Sequence, residues 1–211
     1  MMSETKGYAD RTIAAYRVHA GKASRNWARS GRRPSLFLRR FASELAAAHQ
    51  RRGASILDYG CGTGVEAAWL RSRGFHVEGV DGTLEFVLEA RRRCPGARIQ
   101  HARFEGVPLP QQAYDAVWCN AALIHVPPEE LRRQLEKLKQ SVKSGGLLGL
   151  TLAWGRAKRF FPKDWIPGRY LAAYSKREAE ALLRGWKLKS AAVASGDGRS
   201  GRWIQILASV Q

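Results

Sequence analysis

The stretch Ile56-Leu57-Asp58-Tyr59-Gly60-Cys61-Gly62-Thr63-Gly64 joins a short apolar run, ending in a carboxylate, to glycines at every second position. A run of that length reads as a buried strand, and the glycines as a tight turn where main chain can approach a ligand with no Cβ between them. A helix starting there points its unpaired N–H groups at the same spot. A dinucleotide site spaces its glycines GxGxxG, to set a helix against a pyrophosphate. Here the spacing is GxGxG, and Asp58 stands two residues before the first glycine. A carboxylate there repels a pyrophosphate and favours a ligand carrying positive charge, such as an amino group beside a sulfonium. Asp81, 23 positions after Asp58, closes a second apolar run and is placed to accept bonds from ribose hydroxyls. His125 is the best-placed candidate for a general base if a nucleophile arrives protonated. The alternative, favoured on sequence grounds, is that it orders its own loop.

The elements that must position these residues can be read outward from the glycines. Residues 54–58 form a first strand and 65–73 a helix closed by Gly74. A strand over 75–81 and a helix over 84–93 follow, stopped by Pro95-Gly96. Residues 98–101 and 114–120 read as the third and fourth strands, then come a helix from Pro128 to about Lys143 and a fifth strand over 146–152. Such alternation predicts βαβ units and a parallel sheet covered on both faces. The tail differs: a helix near 175–184 precedes two apolar runs, 186–194 and 202–210, flanking the turn-rich Ser195–Gly201. That pattern predicts a hairpin, so that the sheet ends on an antiparallel strand. Ahead of the glycines, helices are predicted near 8–20 and 34–50, separated by SGRRP at 30–34. The organisation read from this is a basic helical cap over 1–52 and a ligand-binding domain over 53–211.

Composition narrows the class. The 211 residues are 45% hydrophobic, a globular composition with no apolar run long enough to span a membrane. Cys61, Cys94 and Cys119 are odd in number and lack CxxC spacing, which argues against a disulfide framework or a metal site and for a cytoplasmic location. The net charge is +18. It is unevenly placed, with 12 basic and 3 acidic residues in 1–52, 12 and 11 in 53–152, and 12 and 4 in 153–211. Basic flanks around a neutral centre suit an anionic ligand or polymer.

The segments LDYGCGTG, GVDGT, AYDAVWCNAALIHVPPEEL and SGGLLGLTL together resemble the class I S-adenosylmethionine-dependent methyltransferases, over roughly residues 54–210. ARFEGVPL, LIHVPPEEL and GRYLAAYS look more like the small bacterial tellurite-resistance-like members. The resemblance implies an α/β, Rossmann-like, doubly wound seven-stranded sheet, mostly parallel with a C-terminal antiparallel strand and helices on both faces. It implies S-adenosylmethionine as cofactor and no metal. Asp58, Gly60, Cys61 and Gly62 match the loop around the cofactor's methionine part. Asp81 matches the ribose ligand, Gly82 and Thr83 flank the adenine, and Asn120 and Ala121 follow the fourth strand beside the reactive sulfur. One departure stands out: where many relatives carry an acid for the adenine amino group, this chain has Arg103, which cannot accept a hydrogen bond. Backbone near Arg103 and Phe104, with Glu105 as substitute, would then hold the adenine.

The acceptor is expected to meet the flanks. Tyr8, Tyr16 and Trp27 in the first flank, and Tyr170, Tyr174 and Trp203 in the last, are the aromatic candidates, with Tyr8, Tyr16 and Tyr174 foremost. Gly155–Gly168 is the expected substrate loop, being basic and aromatic. The function expected is methyl transfer to a small molecule, anionic or aromatic. The alternative is an RNA methyltransferase or nucleic-acid-binding protein gripping phosphate with its basic flanks.

Overall fold

The computed structural model describes residues 7–30, 34–48, 53–195 and 201–211. The centre of SGRRP and most of the Ser195–Gly201 turn lie outside the described residues. Three helices come first: α1 (Tyr8–Val18), α2 (Ala20–Ser30) and α3 (Leu36–Ala48). Alternation then sets in with β1 (Ser55–Tyr59), α4 (Val65–Ser72), β2 (His76–Asp81), α5 (Leu84–Arg93), β3 (Arg98–His101) and β4 (Tyr114–Asn120). A 3-10 turn at Leu123–His125, α6 (Pro128–Ser141) and β5 (Val142–Trp154) follow. The tail adds β6 (Lys158–Phe160), β7 (Tyr170–Tyr174), α7 (Lys176–Leu182), β8 (Trp186–Ser195) and β9 (Arg202–Val210).

Strands β3, β2, β1, β4 and β5 lie side by side and all run parallel. On the far edge of β5, β9 runs antiparallel, and β8 pairs antiparallel with β9. The mostly parallel sheet with an antiparallel C-terminal strand is therefore present. The expected count of seven strands is corrected to nine among the described residues. The two extra strands come from the segment read as a loop: β6 and β7 form an antiparallel pair, and β7 joins β5 at Ala153 and Trp154. That junction lies past Thr151, where the recorded β4 pairing with β5 ends. The flank before the glycines also holds one helix more than expected, α2.

Burial on both faces explains why β4 reads as an unbroken apolar run: six of its seven residues are buried. One face packs under α6 and β7, with Leu131, Leu135, Leu138, Tyr170 and Tyr174 in a common cluster with Leu57, Val117 and Leu150. The other face receives α3, whose Phe37, Leu38, Phe41, Ala42 and Leu45 recur at helical spacing and pack with Ile56, Ala116 and Trp118. Phe37 and Phe41 lie 5.3 and 5.0 Å, ring to ring, from the wholly buried Trp118. Each such ring contributes about 1.5–3 kcal/mol on burial, so α3 is an integral layer of the core.

Gly149 is where α3 and the sheet close on each other. A Cβ there would stand 2.6 Å from the Trp118 ring and 2.8 Å from Phe41. Gly149→Ala is expected to cost about 2 kcal/mol by overpacking. Thermal unfolding should show Tm lowered by roughly 4–8 °C for a chain of this size. An unchanged Tm would mean that the contact is loose.

Candidate active site

The carboxyl ends of β1 to β5 open on a cleft of about 1120 Å³, whose opposite wall is built by α1, α2 and the segment from Gly155 to Leu171. Open α/β sheets place their ligands at this end of the strands. The glycine turn forms its floor. Gly60, Gly62 and Gly64 have φ of 86°, 51° and 73°, all in the left-handed region that favours glycine. They serve different neighbours. A Cβ on Gly60 would stand 2.2 Å from Ala122 Cβ, and one on Gly64 3.0 Å from the Ala90 backbone. Those two glycines make room for the protein itself. Gly62 makes room for Trp27 of α2, whose ring would lie 3.1 Å from a Cβ there.

Asp81 holds the turn in place. Its Oδ2 accepts the Gly62 N–H at 2.9 Å and its Oδ1 accepts the Thr83 N–H at 2.8 Å. Burial pushes its carboxyl above the usual range, and the two backbone bonds pull it back. Asp58 lies outside the cleft lining, 2% exposed, and its buried Oδ2 has no hydrogen-bond partner. Burial raises its carboxyl well above the usual range, with the charges of Glu66 and Asp81 adding to the effect. A positive charge brought into the floor would relieve all three carboxylates. Glu66, in the first turn of α4, is a site residue that sequence reading missed. It accepts from Trp118 Nε1 at 2.8 Å and from Asn120 Nδ2 at 2.6 Å. Asn120 Oδ1 in turn accepts from Thr151 Oγ1, which itself takes the Ala121 N–H at 2.8 Å. Ala121 sits at φ 55°, a conformation that a side-chain-bearing residue adopts when its surroundings fix it.

Sixteen residues expected at the site line the cleft: Tyr8, Tyr16, Trp27, Gly60, Cys61, Gly62, Asp81, Gly82, Thr83, Arg103, Phe104, Glu105, Asn120, Ala121, His125 and Trp203. Asp58, Tyr170 and Tyr174 do not. Tyr174 is buried in the core cluster on the other face of β7, while its strand neighbours Leu171 and Ala173 face the cleft. Arg103 is held by Asp10 of α1, and the Phe104 ring stacks 4.3 Å from Tyr59. The Phe104 carbonyl already accepts from Tyr59 Oη and Lys137 Nζ, and Glu105 takes the Tyr8 hydroxyl at 2.5 Å.

His125 joins the floor to the far wall. Its Nδ1 meets the Tyr170 carbonyl at 2.7 Å, and its Nε2 meets Tyr16 Oη at 2.9 Å. A carbonyl can only accept, so Nδ1 carries the proton and Nε2 accepts from the Tyr16 hydroxyl. Arg169 Nη1 donates to the Tyr16 oxygen at 3.0 Å. The Arg169 Nε and Nη2 groups both meet Asp164 Oδ2, at 2.9 and 2.6 Å. Burial, with the Arg169 charge adding, pulls the imidazole down to about 3. His125 is therefore neutral throughout the physiological range.

Residues 56–146 match a family described as a methyltransferase domain. The chain is 33% identical over 141 residues to a malonyl-[acyl-carrier protein] O-methyltransferase of Salmonella typhimurium, covering 65% of this chain and 55% of that one. Two solved structures share its fold. One is a 1,6-didemethyltoxoflavin-N1-methyltransferase of Burkholderia thailandensis with bound S-adenosylhomocysteine (17% identity, TM-score 0.76, 100% of this chain and 92% of the other). The other is a magnesium protoporphyrin IX methyltransferase of Synechocystis, also with S-adenosylhomocysteine (19% identity, TM-score 0.70, 95% and 100%). The match over residues 56–146 is to a methyltransferase domain, and the fold is the one these two structures share. The chain spans between 39 and 63% of the length of the malonyl-[acyl-carrier protein] enzymes it matches.

Both of those structures hold S-adenosylhomocysteine, and the residues present here fit a ligand of that kind. Asp81 spends one lone pair per oxygen on backbone, leaving acceptor capacity for a diol. The unpartnered Asp58 oxygen lies under the turn, beside two further acids, where a cationic ligand is electrostatically favoured. Among the described residues no group of His, Cys, Asp and Glu is arranged to hold a metal, and no helix is long and apolar enough to cross a membrane.

Proposed function

We propose that the methyltransferase domain moves a methyl group from S-adenosylmethionine to a small-molecule acceptor in the cleft. The observation that carries this reading is the Asp81-anchored glycine turn, set across one cleft from the Tyr16–His125–Arg169 network. The cofactor supplies an electrophilic methyl on a sulfonium. Asp81 would hold its ribose, the turn from Gly60 to Gly62 its methionine part, Gly82, Thr83, Arg103 and Phe104 the rim of its adenine, and Asn120 and Ala121 the reacting end. Asp58, whose buried carboxyl is raised well above the usual range, would take its charge only as a cationic ligand enters the floor above it. Of residues 1–52, α1 and α2 are read as the cap over the domain at 53–211 while α3 packs into its core, and the three free, buried thiols suit a cytoplasmic setting. The names of the two solved structures, a 1,6-didemethyltoxoflavin and a magnesium protoporphyrin IX methyltransferase, support a small acceptor.

In-line displacement gains most from alignment, with the nucleophile held about 3–3.5 Å from the methyl carbon. Tyr16, bonded to both His125 and Arg169, cannot swing without breaking two hydrogen bonds. His125 is read as a positioning residue acting through Tyr16. Tyr16→Phe keeps the ring and removes the hydroxyl; kcat is expected to fall about tenfold or more while S-adenosylhomocysteine affinity stays unchanged. Because His125 binds a proton only near pH 3, the wild-type rate should show no inflection at the ordinary histidine value of about 6.5. An inflection there that disappears in His125→Gln would make His125 the base instead.

The reading itself is tested by calorimetry with S-adenosylhomocysteine, and by labelled methyl uptake into fractionated extract. No binding at millimolar ligand would end it. For RNA, the alternative acceptor, the support is the net charge of +18. Uptake of label into the RNA fraction would favour it over a small molecule.

A further inference from the structure

The cleft is divided by charge. Asp81 and Glu66 line its floor, with Asp58 beneath them, while cations line its mouth. Two of the lining cations, Arg103 and Arg169, are matched by Asp10 and Asp164. Arg25, Arg156 and Lys163 are exposed at the mouth, and among the described residues none of their side chains has an ion pair or hydrogen bond. Arg25 projects from α2 one turn from Lys22 and Arg29, which line the same cleft, so all three share one face of the helix. Lys22 Nζ reaches the Trp165 carbonyl at 2.6 Å, which ties α2 to the segment carrying Arg156 and Lys163. Unmatched cations from both segments thus line the same wall of the opening. Deeper in, Arg169 is 7% exposed and commits three of its five N–H groups to Asp164 and Tyr16.

Size and surface complete the picture. Single-ligand pockets run to about 1,000 Å³, so a cleft of about 1120 Å³ has room for an acceptor beside a cofactor. The mouth is also aromatic. Trp154 is 44% exposed under the Arg202 guanidinium, and Trp165 lies under that of Arg169. Flat apolar faces bearing cations suit a planar molecule with an anionic substituent.

We propose that the acceptor is a small aromatic anion, with its carboxylate or phosphate drawn to Arg25, Arg156 and Lys163 at the mouth and its body laid along the tryptophans. The proposal rests on the methyltransferase reading for its cofactor end.

The test uses a matched pair, 2-naphthoate and its neutral amide 2-naphthamide, titrated into the full chain with and without saturating S-adenosylhomocysteine. Naphthoate should bind at least tenfold more tightly than the amide, and the gap should shrink as salt rises from 50 to 500 mM. Arg156→Gln with Lys163→Gln removes two exposed charges; it should abolish the preference and leave S-adenosylhomocysteine affinity and Tm unchanged. Equal binding of the two probes by the wild type, binding of neither, or a preference that survives in the double variant would overturn the proposal. Displacement of naphthoate by a single-stranded RNA oligonucleotide binding a hundredfold more tightly at physiological salt would also overturn it, in favour of a nucleic-acid groove. A charge preference measured without any S-adenosylhomocysteine binding would keep the anion subsite and reject the methyltransferase reading, so the two can fail separately.

Discussion

Asp81→Ala should lose at least about 2 kcal/mol of S-adenosylhomocysteine affinity, some 30-fold, for two reasons that add. On the proposed reading the ribose diol loses its acceptor, and the Gly62 and Thr83 N–H groups lose the carboxylate that sets the turn. Asp81→Asn separates these contributions. An amide keeps one oxygen, so it can satisfy one of the two N–H groups but meets the other with a donor. Calorimetry should rank wild type above Asn and Asn above Ala. Equal affinity in all three would show that the turn sets itself and that the diol binds elsewhere.

Arg169→Met should be the most destabilising single change at the mouth. It strips Asp164 of both its guanidinium bonds and Tyr16 of its donor. Removing one partner of a buried ion pair costs about 3–5 kcal/mol. The Asp164 side chain is 22% exposed and can draw on water, which places the cost near the lower end, about 3 kcal/mol. Thermal unfolding should fall by roughly 6–12 °C. Adding Asp164→Asn should restore part of that loss, since the orphaned charge goes with it. A double variant no better than Arg169→Met would mean that the contact with Tyr16, and not the ion pair, carries the stability.

The parallel sheet was legible because strand and helix periods alternate cleanly from residue 54 to residue 154. The hairpin of β6 and β7 was not. Lys-Arg-Phe at 158–160 is too short and too charged to show a period of two, and it forms a strand because β7 offers it a ladder. α2 hid for a related reason. Its sequence AGKASRNWARS is polar on average, and its apolar stripe of Ala20, Ala23 and Trp27 is recognisable once Tyr16, Phe86 and Ile166 are known to lie under it. At the site, Asp81 and the glycines announced themselves by spacing. Glu66 could not, since its partners stand 52 and 54 positions away. Tyr174 was misjudged although a signal existed: in YLAAY, period two puts residues 170, 172 and 174 on one face and 171 and 173 on the other. The same alternation that buries Tyr170 takes Tyr174 into the core with it.

The hairpin β6–β7 is bolted to α1, not to the parallel strands alone: Tyr170 N–H donates to Thr12 Oγ1 at 3.0 Å, and the Arg11 guanidinium lies 3.6 Å over the Phe160 ring. Arg25, Arg156, Lys163 and Arg169 all fall outside residues 56–146, the part shared with the methyltransferase domain family. On the proposed reading, drift in these two outlying segments would alter which compound is admitted while the grip on the nucleoside stays intact. Enzymes descended from such a chain are free to diverge in taste without having to reinvent their reagent.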